Sequence, residues 1–331
     1  MMTRAFNRLM LTGLLALPLG APLTGCETNP ATGEMQFNTL SREQEIAIGN
    51  EAAPQLTQEY GGEVSNAQLQ RYLDNVGMAM VPHTEGDYAS LPWEFTLLDS
   101  DVINAFALPG GKVFISRGLA ARFNNEAQLA SVVGHEIGHV TARHVNERMS
   151  RQMGVELLAG LVGAAAGGAE SALLREAVPA LVGTAGQGYL LKFGREQELE
   201  ADNLGIRYMT RAGWDPRGSL QAMQVLADLD TGNAPPEFLS THPYASTRVE
   251  QIQEWLQNEY QQELNNPALE LYPERYRQQF LRVLATLPPA PAPTQFAAAH
   301  SWCGVCRAHR AEQIAAAIRA QSESQIAALP R

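Results

Sequence analysis

Positive charge is scarce in this 331-residue chain: 24 Lys and Arg face 35 Asp and Glu, a formal net charge of −11 at pH 7. A surface that neutralises phosphates needs the opposite balance, so nucleic acid is excluded as a partner. Cysteine is scarcer, with three residues, at positions 26, 303 and 306. No disulfide framework can be built from them, only a local crosslink in the tail. Long apolar runs are missing after the N-terminus, since Leu157 to Gly168 is too short to span a bilayer and is followed by charge. No repeat is found in Glu263 to Leu287, so partner docking through helical repeats has no support. What is present is 45% hydrophobic content, enough for a sizeable core in one large domain or two small ones.

The most informative stretch is His135-Glu136-Ile137-Gly138-His139, inside an apolar-periodic run from Asn125 to Ser150. Leu129, Val132, Val133, Ile137 and Val140 recur at three- and four-residue spacing, which predicts a buried helix. Residues four apart share a helix face, so both imidazoles can reach a single Zn²⁺ ion. Glu136 lies about 100° round the helix from His135, beside the ion rather than on it. A carboxylate there suits a general base acting on a water that zinc has acidified towards pKa ~7. His144 falls nine residues beyond His135, about 180° round a continuous helix, and is expected to face away as a surface or supporting side chain.

Residues 1–25 read as a removable leader: Arg4 and Arg8 form a short positive region, and Leu9 to Leu19 an apolar one interrupted by Pro18. Leu23-Thr24-Gly25-Cys26 resembles the bacterial lipoprotein signal, which implies lipidation at Cys26 and a membrane anchor on several acyl chains. Glu27 in place of Asp implies sorting to the outer membrane, with the protein facing the periplasm of a Gram-negative cell. Residues 26–40 then serve as a tether, with turn chemistry at Asn29-Pro30-Ala31-Thr32-Gly33.

Ser41 with Gln44 opens a helix that Pro54 must bend or end, and Ser65 with Gln68 opens another running to Met80 before Pro82. Trp93 to Leu98, Asp101 to Ala107 and Lys112 to Ser116 read as strands, the last two joined by Pro109-Gly110-Gly111. Such a hairpin offers a free backbone edge able to bind an extended substrate by strand addition. Met149 to Gly188 reads as a helical hairpin packed on the domain, with membrane dipping or substrate gating as the alternatives. Tyr189 to Arg211 is a second helix, closed by Gly213 and carrying Glu196, Glu198, Glu200 and Asp202. A catalytic zinc needs three protein ligands and an open position, so one of these carboxylates would complete the site. Spacing does not choose between the pairs Glu198/Asp202 and Glu196/Glu200. His242 precedes a helix opened by Thr247 and Glu250, a common place for a functional side chain.

Together these blocks resemble the M48 family of zinc metallopeptidases, in particular its lipid-anchored bacterial members. The resemblance spans roughly Asn29 to Leu256. It rests on the Asn29–Gly33 block, on Asn104-Ala105-Phe106-Ala107-Leu108-Pro109-Gly110-Gly111, on His135 to Val140, on Glu198-Leu199-Glu200-Ala201-Asp202, and on His242-Pro243 with Arg248. It implies an α+β, mostly helical, zincin-like domain with a small sheet or hairpin beside the H-E-x-x-H helix. It implies one catalytic Zn²⁺ on His135, His139 and Glu198, with Glu136 as base and Glu200 as the fallback ligand. It implies Asp202 orienting a histidine ligand, and His242 either stabilising an oxyanion or filling the open zinc position at rest. Arg248 would support the His242 loop, and Asn104, Ala105, Phe106 and Ala107 would form the substrate edge strand. Substrates would be misfolded or stalled envelope proteins.

The domain order expected is leader 1–25, tether 26–40, peptidase domain 41–287, Pro-rich linker 288–298 and tail 299–331. In the tail His300, Cys303, Cys306 and His309 stand three apart, and Trp302 to Cys306 is similar to a thioredoxin active site without its strand–helix–strand context. A local disulfide or inert thiols is the plain expectation there, ahead of a small second metal site. The rival to the peptidase is a lipid-anchored chaperone or assembly scaffold, its zinc structural or masked by His242. Glu136 speaks against it, because a closed structural site does not require that carboxylate.

Overall fold

The computed structural model describes residues 26–151, 193–230 and 236–291. The leader, the stretch 152–192, and the tail with its His300, Cys303, Cys306 and His309 lie outside the described residues. Among the described residues no helix is long and apolar enough to cross a membrane.

The first described residues form an antiparallel hairpin, β1 (Cys26–Thr28) with β2 (Met35–Phe37). Expected as a tether, this stretch is instead packed into the domain: Asn29, Ala31, Gln36 and Asn38 are all buried. Helix α1 (Arg42–Glu59) opens on the Ser41/Gln44 capping box. Pro54 sits inside α1 without ending it. Ala52 and Leu56, on either side of the proline, are buried in one cluster with Phe106 and Phe114, and that packing outweighs a single lost backbone bond. Helix α2 (Ala67–Met80) is capped by Asn66, whose side chain accepts from the Gln68 and Leu69 N–H groups, one residue later than expected.

Strands β3 (Glu94–Leu98), β4 (Ala105–Leu108) and β5 (Lys112–Ser116) form one sheet in the order β3-β5-β4. β3 runs parallel to β5, and β4 pairs with β5 antiparallel across the Pro109-Gly110-Gly111 turn. Gly110 and Gly111 take φ of 79° and 90°, left-handed values that a side chain would strain. The β4/β5 hairpin is thus as expected, although β4 starts at Ala105 rather than Asp101. β4 is an edge strand, paired on one side only among the described strands.

Helix α3 (Glu126–Thr141) crosses the main core and is buried along almost its whole length. Its start is fixed by an Asn125/Gln128 capping box. Helix α4 (Arg195–Arg211) packs directly on it. Small residues allow the approach: a Cβ placed on Gly138 would fall 2.8 Å from the Ala201 carbonyl oxygen, and one on Gly205 2.7 Å from the His135 nitrogen. Helices α5 (Arg217–Asp228) and α6 (Ala245–Asn258) complete the layer against α3 and α4. α6 starts two residues before Thr247, from Tyr244 in the left-handed region at φ 70°. The architecture is α+β and mostly helical, with a small sheet beside α3, as a zincin-like domain requires.

Candidate active site

Close contact between α3 and α4 brings the chemistry of both helices to one point. His135 and His139, one turn apart on α3, present their Nε2 atoms 3.0 Å from each other. From α4, Glu198 Oε2 lies 3.5 Å from His135 Nε2, and Oε1 lies 3.6 Å from His139 Nε2. His242, in the turn ahead of α6, adds Nδ1 at 3.2 Å from His135 Nε2 and 3.1 Å from Glu198 Oε1. All four side chains are buried, and their donor atoms lie within 4.8 Å of one another. A tetrahedral ion with ligands at ~2.0–2.1 Å spans donor–donor edges of roughly 3.3 Å, so both donor type and spacing fit zinc.

Glu136 is fully buried, and neither of its carboxylate oxygens has a hydrogen-bond partner. His242 Nε2 stands 3.6 Å from Oε1. Burial pushes the Glu136 carboxyl up to about 7, with the neighbouring Glu198 adding to the effect and His242 opposing it. An unsatisfied buried carboxylate at the edge of a donor cluster is costly in a purely structural part of a protein.

Asp202 accepts from His135 Nδ1 at 2.8 Å and is clamped by Arg248 through Nε and Nη2, both at 2.7 Å. Burial alone would raise its pKa, but Arg248 and His135 hold it well below the usual carboxylate range. Arg248 also reaches Glu198 Oε2 at 2.7 Å and the His242 carbonyl at 3.4 Å, so one buried guanidinium ties α4 to the His242 turn. Against the same cost of burial, His242 and Arg248 keep Glu198 ionised. The His242 pKa is raised despite its burial, because Glu198 and Glu136 both face it. His135 and His139 go the other way, their pKa values lowered first by burial.

The structure corrects half of the expectation for His144: the side chain supports the site, but it neither faces away nor lies on the surface. Helix α3 ends at Thr141 and Arg143 adopts φ 56°, so counting helical angles past that point fails. His144 is fully buried, its Nδ1 2.8 Å from His139 Nδ1 and its Nε2 2.8 Å from Glu200 Oε2. Glu200, the fallback ligand, therefore faces His144 rather than the donor cluster. The break at 142–143 carries no glycine or proline; it is imposed from a distant part of the chain. Asn29 Nδ2 donates to the Thr141 carbonyl at 2.9 Å and Gln36 Nε2 to the Ala142 carbonyl at 2.8 Å, capping the end of α3. Arg143 is held by Glu27, by Glu45 and by the Leu40 carbonyl. Spacing alone could not find these contacts. Phe193, stacked on His139 with ring centroids 4.0 Å apart, was also missed.

Asn104, expected on the edge strand, lies just before β4 instead; it is buried and donates to Tyr60 Oη and Glu237 Oε1. Glu237 opens the short helix Glu237–Thr241 that leads into His242. Ala105, Phe106 and Ala107 follow on the edge strand, all buried, and Ala107 lines a hollow together with His139 and Val140 at the C-terminal end of α3.

The family model described as Peptidase family M48 matches residues 67–256, more than half of the chain. The chain is 35% identical over 256 residues to the beta-barrel assembly-enhancing protease of Escherichia coli (strain K12), covering 73% of this chain and 51% of that protein. It is 34% identical over 182 residues to the mitochondrial metalloendopeptidase OMA1 of Arabidopsis thaliana, covering 55% of this chain and 34% of that one. Against OMA1 of Saccharomyces cerevisiae the identity is 30% over 250 residues, 70% of each chain. The chain spans about half the length of the bacterial relatives it matches.

Proposed function

The chain belongs to peptidase family M48, and from that membership we propose that it is a zinc-dependent endopeptidase acting on misfolded or stalled cell-envelope proteins. His135, His139 and Glu198 hold the ion. When bound, zinc supplies Lewis acidity, polarising a peptide carbonyl and acidifying a water molecule. Glu136 takes the proton from that water and delivers it to the leaving amine nitrogen. Asp202 keeps Nδ1 of His135 protonated and Nε2 free, and Arg248 keeps Asp202 ionised. An extended substrate pairs with the side of β4 that no described strand occupies, where main chain rather than side chain is read, so cleavage tolerates many sequences. The name of the Escherichia coli relative supports envelope substrates. Lipidation at Cys26 holds the protein on the periplasmic side of the outer membrane.

The observation that carries this reading is the buried Glu136, without a hydrogen-bond partner beside three converging ligands from two helices. A second reading, a latent enzyme or client-binding scaffold with its site masked by His242, is favoured by one specific feature. His242 Nδ1 stands among the donors, 3.2 Å from His135 Nε2, where a fourth ligand would stand. Digestion of casein with and without a chelator, by the wild type and by His242→Ala, separates the two. Chelator-sensitive cleavage by both proteins supports the open peptidase, and cleavage only by the variant supports the masked site. Absence of cleavage by either contradicts the peptidase assignment.

A further inference from the structure

One buried imidazole, His144, lies between His139 and Glu200 and takes no part in the proposed reaction. We propose that His144 and Glu200 are positioning residues, setting the tautomer of His139 through a chain of two imidazoles. The inference rests on the reading of His139 as a metal ligand.

Glu200 forms the outer end of the chain. An ionised carboxylate only accepts hydrogen bonds, so the 2.8 Å contact from Glu200 Oε2 requires the proton on His144 Nε2. Ligation through Nε2 puts the His139 proton on Nδ1, which makes the His144 Nδ1 facing it, 2.8 Å away, the acceptor. His139 Nε2 is left bare, and that is the atom 3.0 Å from His135 Nε2 in the donor cluster. Glu200 therefore specifies a metal-ready His139 from two residues away. Reversing the chain would put a proton on His139 Nε2 and remove it as a ligand.

Other features hold the relay in place. Phe193 stacks on the His139 ring and tilts against His144, fixing the ring planes and excluding water. The left-handed Arg143, held by Glu27 and Glu45, turns the chain so that His144 returns beneath His139. Glu200 lies on α4 two residues from both Glu198 and Asp202, so one helix supplies a ligand and the outer carboxylate for each histidine.

The test uses the full chain in detergent, with ¹⁵N-labelled histidine and its metal removed. Long-range ¹⁵N–¹H spectra report the His139 tautomer, and competition with a chromogenic chelator gives the zinc Kd. Wild type is expected to carry the His139 proton on Nδ1. Glu200→Ala and His144→Leu are expected to mix the tautomers and raise the zinc Kd by about 10- to 100-fold. His144→Gln, whose carbonyl can accept from His139 Nδ1, is expected to recover part of that loss. A role in packing alone would change stability without moving the tautomer. If His144→Leu does not fold, Glu200→Ala decides, because Glu200 keeps a quarter of its side chain in solvent and its loss leaves the core intact. An unchanged tautomer and a Kd within about twofold of wild type in folded Glu200→Ala overturn the proposal while leaving the metal site standing. A wild-type chain that binds no zinc overturns both.

Discussion

His135 and His139 are served by two differently built arms. Asp202 touches His135 directly and is itself gripped by the buried Arg248. Glu200 reaches His139 only through the ring of His144 and remains partly exposed. The first arm is rigid, charged and buried, and its parts also stabilise the fold. The second runs through an imidazole to a partly exposed carboxylate, so its loss should affect metal binding more than folding. The same helix, α4, can thus orient two ligands at very different cost to stability.

The largest effect is expected from the buried arm. Asp202→Ala strips Arg248 of two of its three 2.7 Å contacts and leaves the buried guanidinium to Glu198 and the His242 carbonyl. The change should cost about 3–5 kcal/mol in urea unfolding. A loss below about 1 kcal/mol would mean that the two arms do not differ in kind.

Glu136, between the arms, gives a pH-dependent test. Its folded pKa of about 7 stands above the 4.5 of an ordinary glutamate. In the metal-free protein, a folded chain that holds this proton longer loses stability as pH rises through that window. Glu136→Gln should therefore match wild type near pH 4.5 and exceed it at pH 8 by on the order of 3 kcal/mol. Equal unfolding midpoints at pH 8 would show that Glu136 is not held in a desolvated position.

A smaller effect is expected at the end of α3. Gln36→Ala removes the side-chain cap on the Ala142 carbonyl and leaves that oxygen buried without a donor. The expected cost is about 1–3 kcal/mol, together with a weaker zinc affinity through the displaced His144. A stability loss with unchanged affinity would separate the cap from the second arm. The smallest stability change belongs to the wet arm: Glu200→Ala leaves the buried His144 Nε2 without its acceptor, but at a site that is partly open to water, and should cost about 1 kcal/mol, measured by the same urea titration.

Much of this was legible in the chain itself, and for identifiable reasons. The β4/β5 hairpin was readable because Pro109-Gly110-Gly111 demands a turn, and α1 because Ser41 and Gln44 satisfy each other's backbone. The pairing of His135 with His139 followed from helical geometry. The choice of Glu198 over Glu200 did not, since both sit four residues from another acid; it needed the resemblance to a family. What could not be read is where long-range contacts override local signals. Nothing between Ala142 and His144 announces a break, because the groups that end α3 are Asn29 and Gln36, more than 100 residues upstream. For the same reason Asn29 to Gly33 looked like a tether, its buried role being visible only against the helix it caps.

The most direct measurement combines the metal content of the purified full chain with its cleavage of casein, in wild type and in Glu136→Gln. The account predicts one zinc per chain in both proteins and cleavage by wild type alone. Metal-free preparations that still cut casein, or undiminished cleavage by Glu136→Gln, would contradict it.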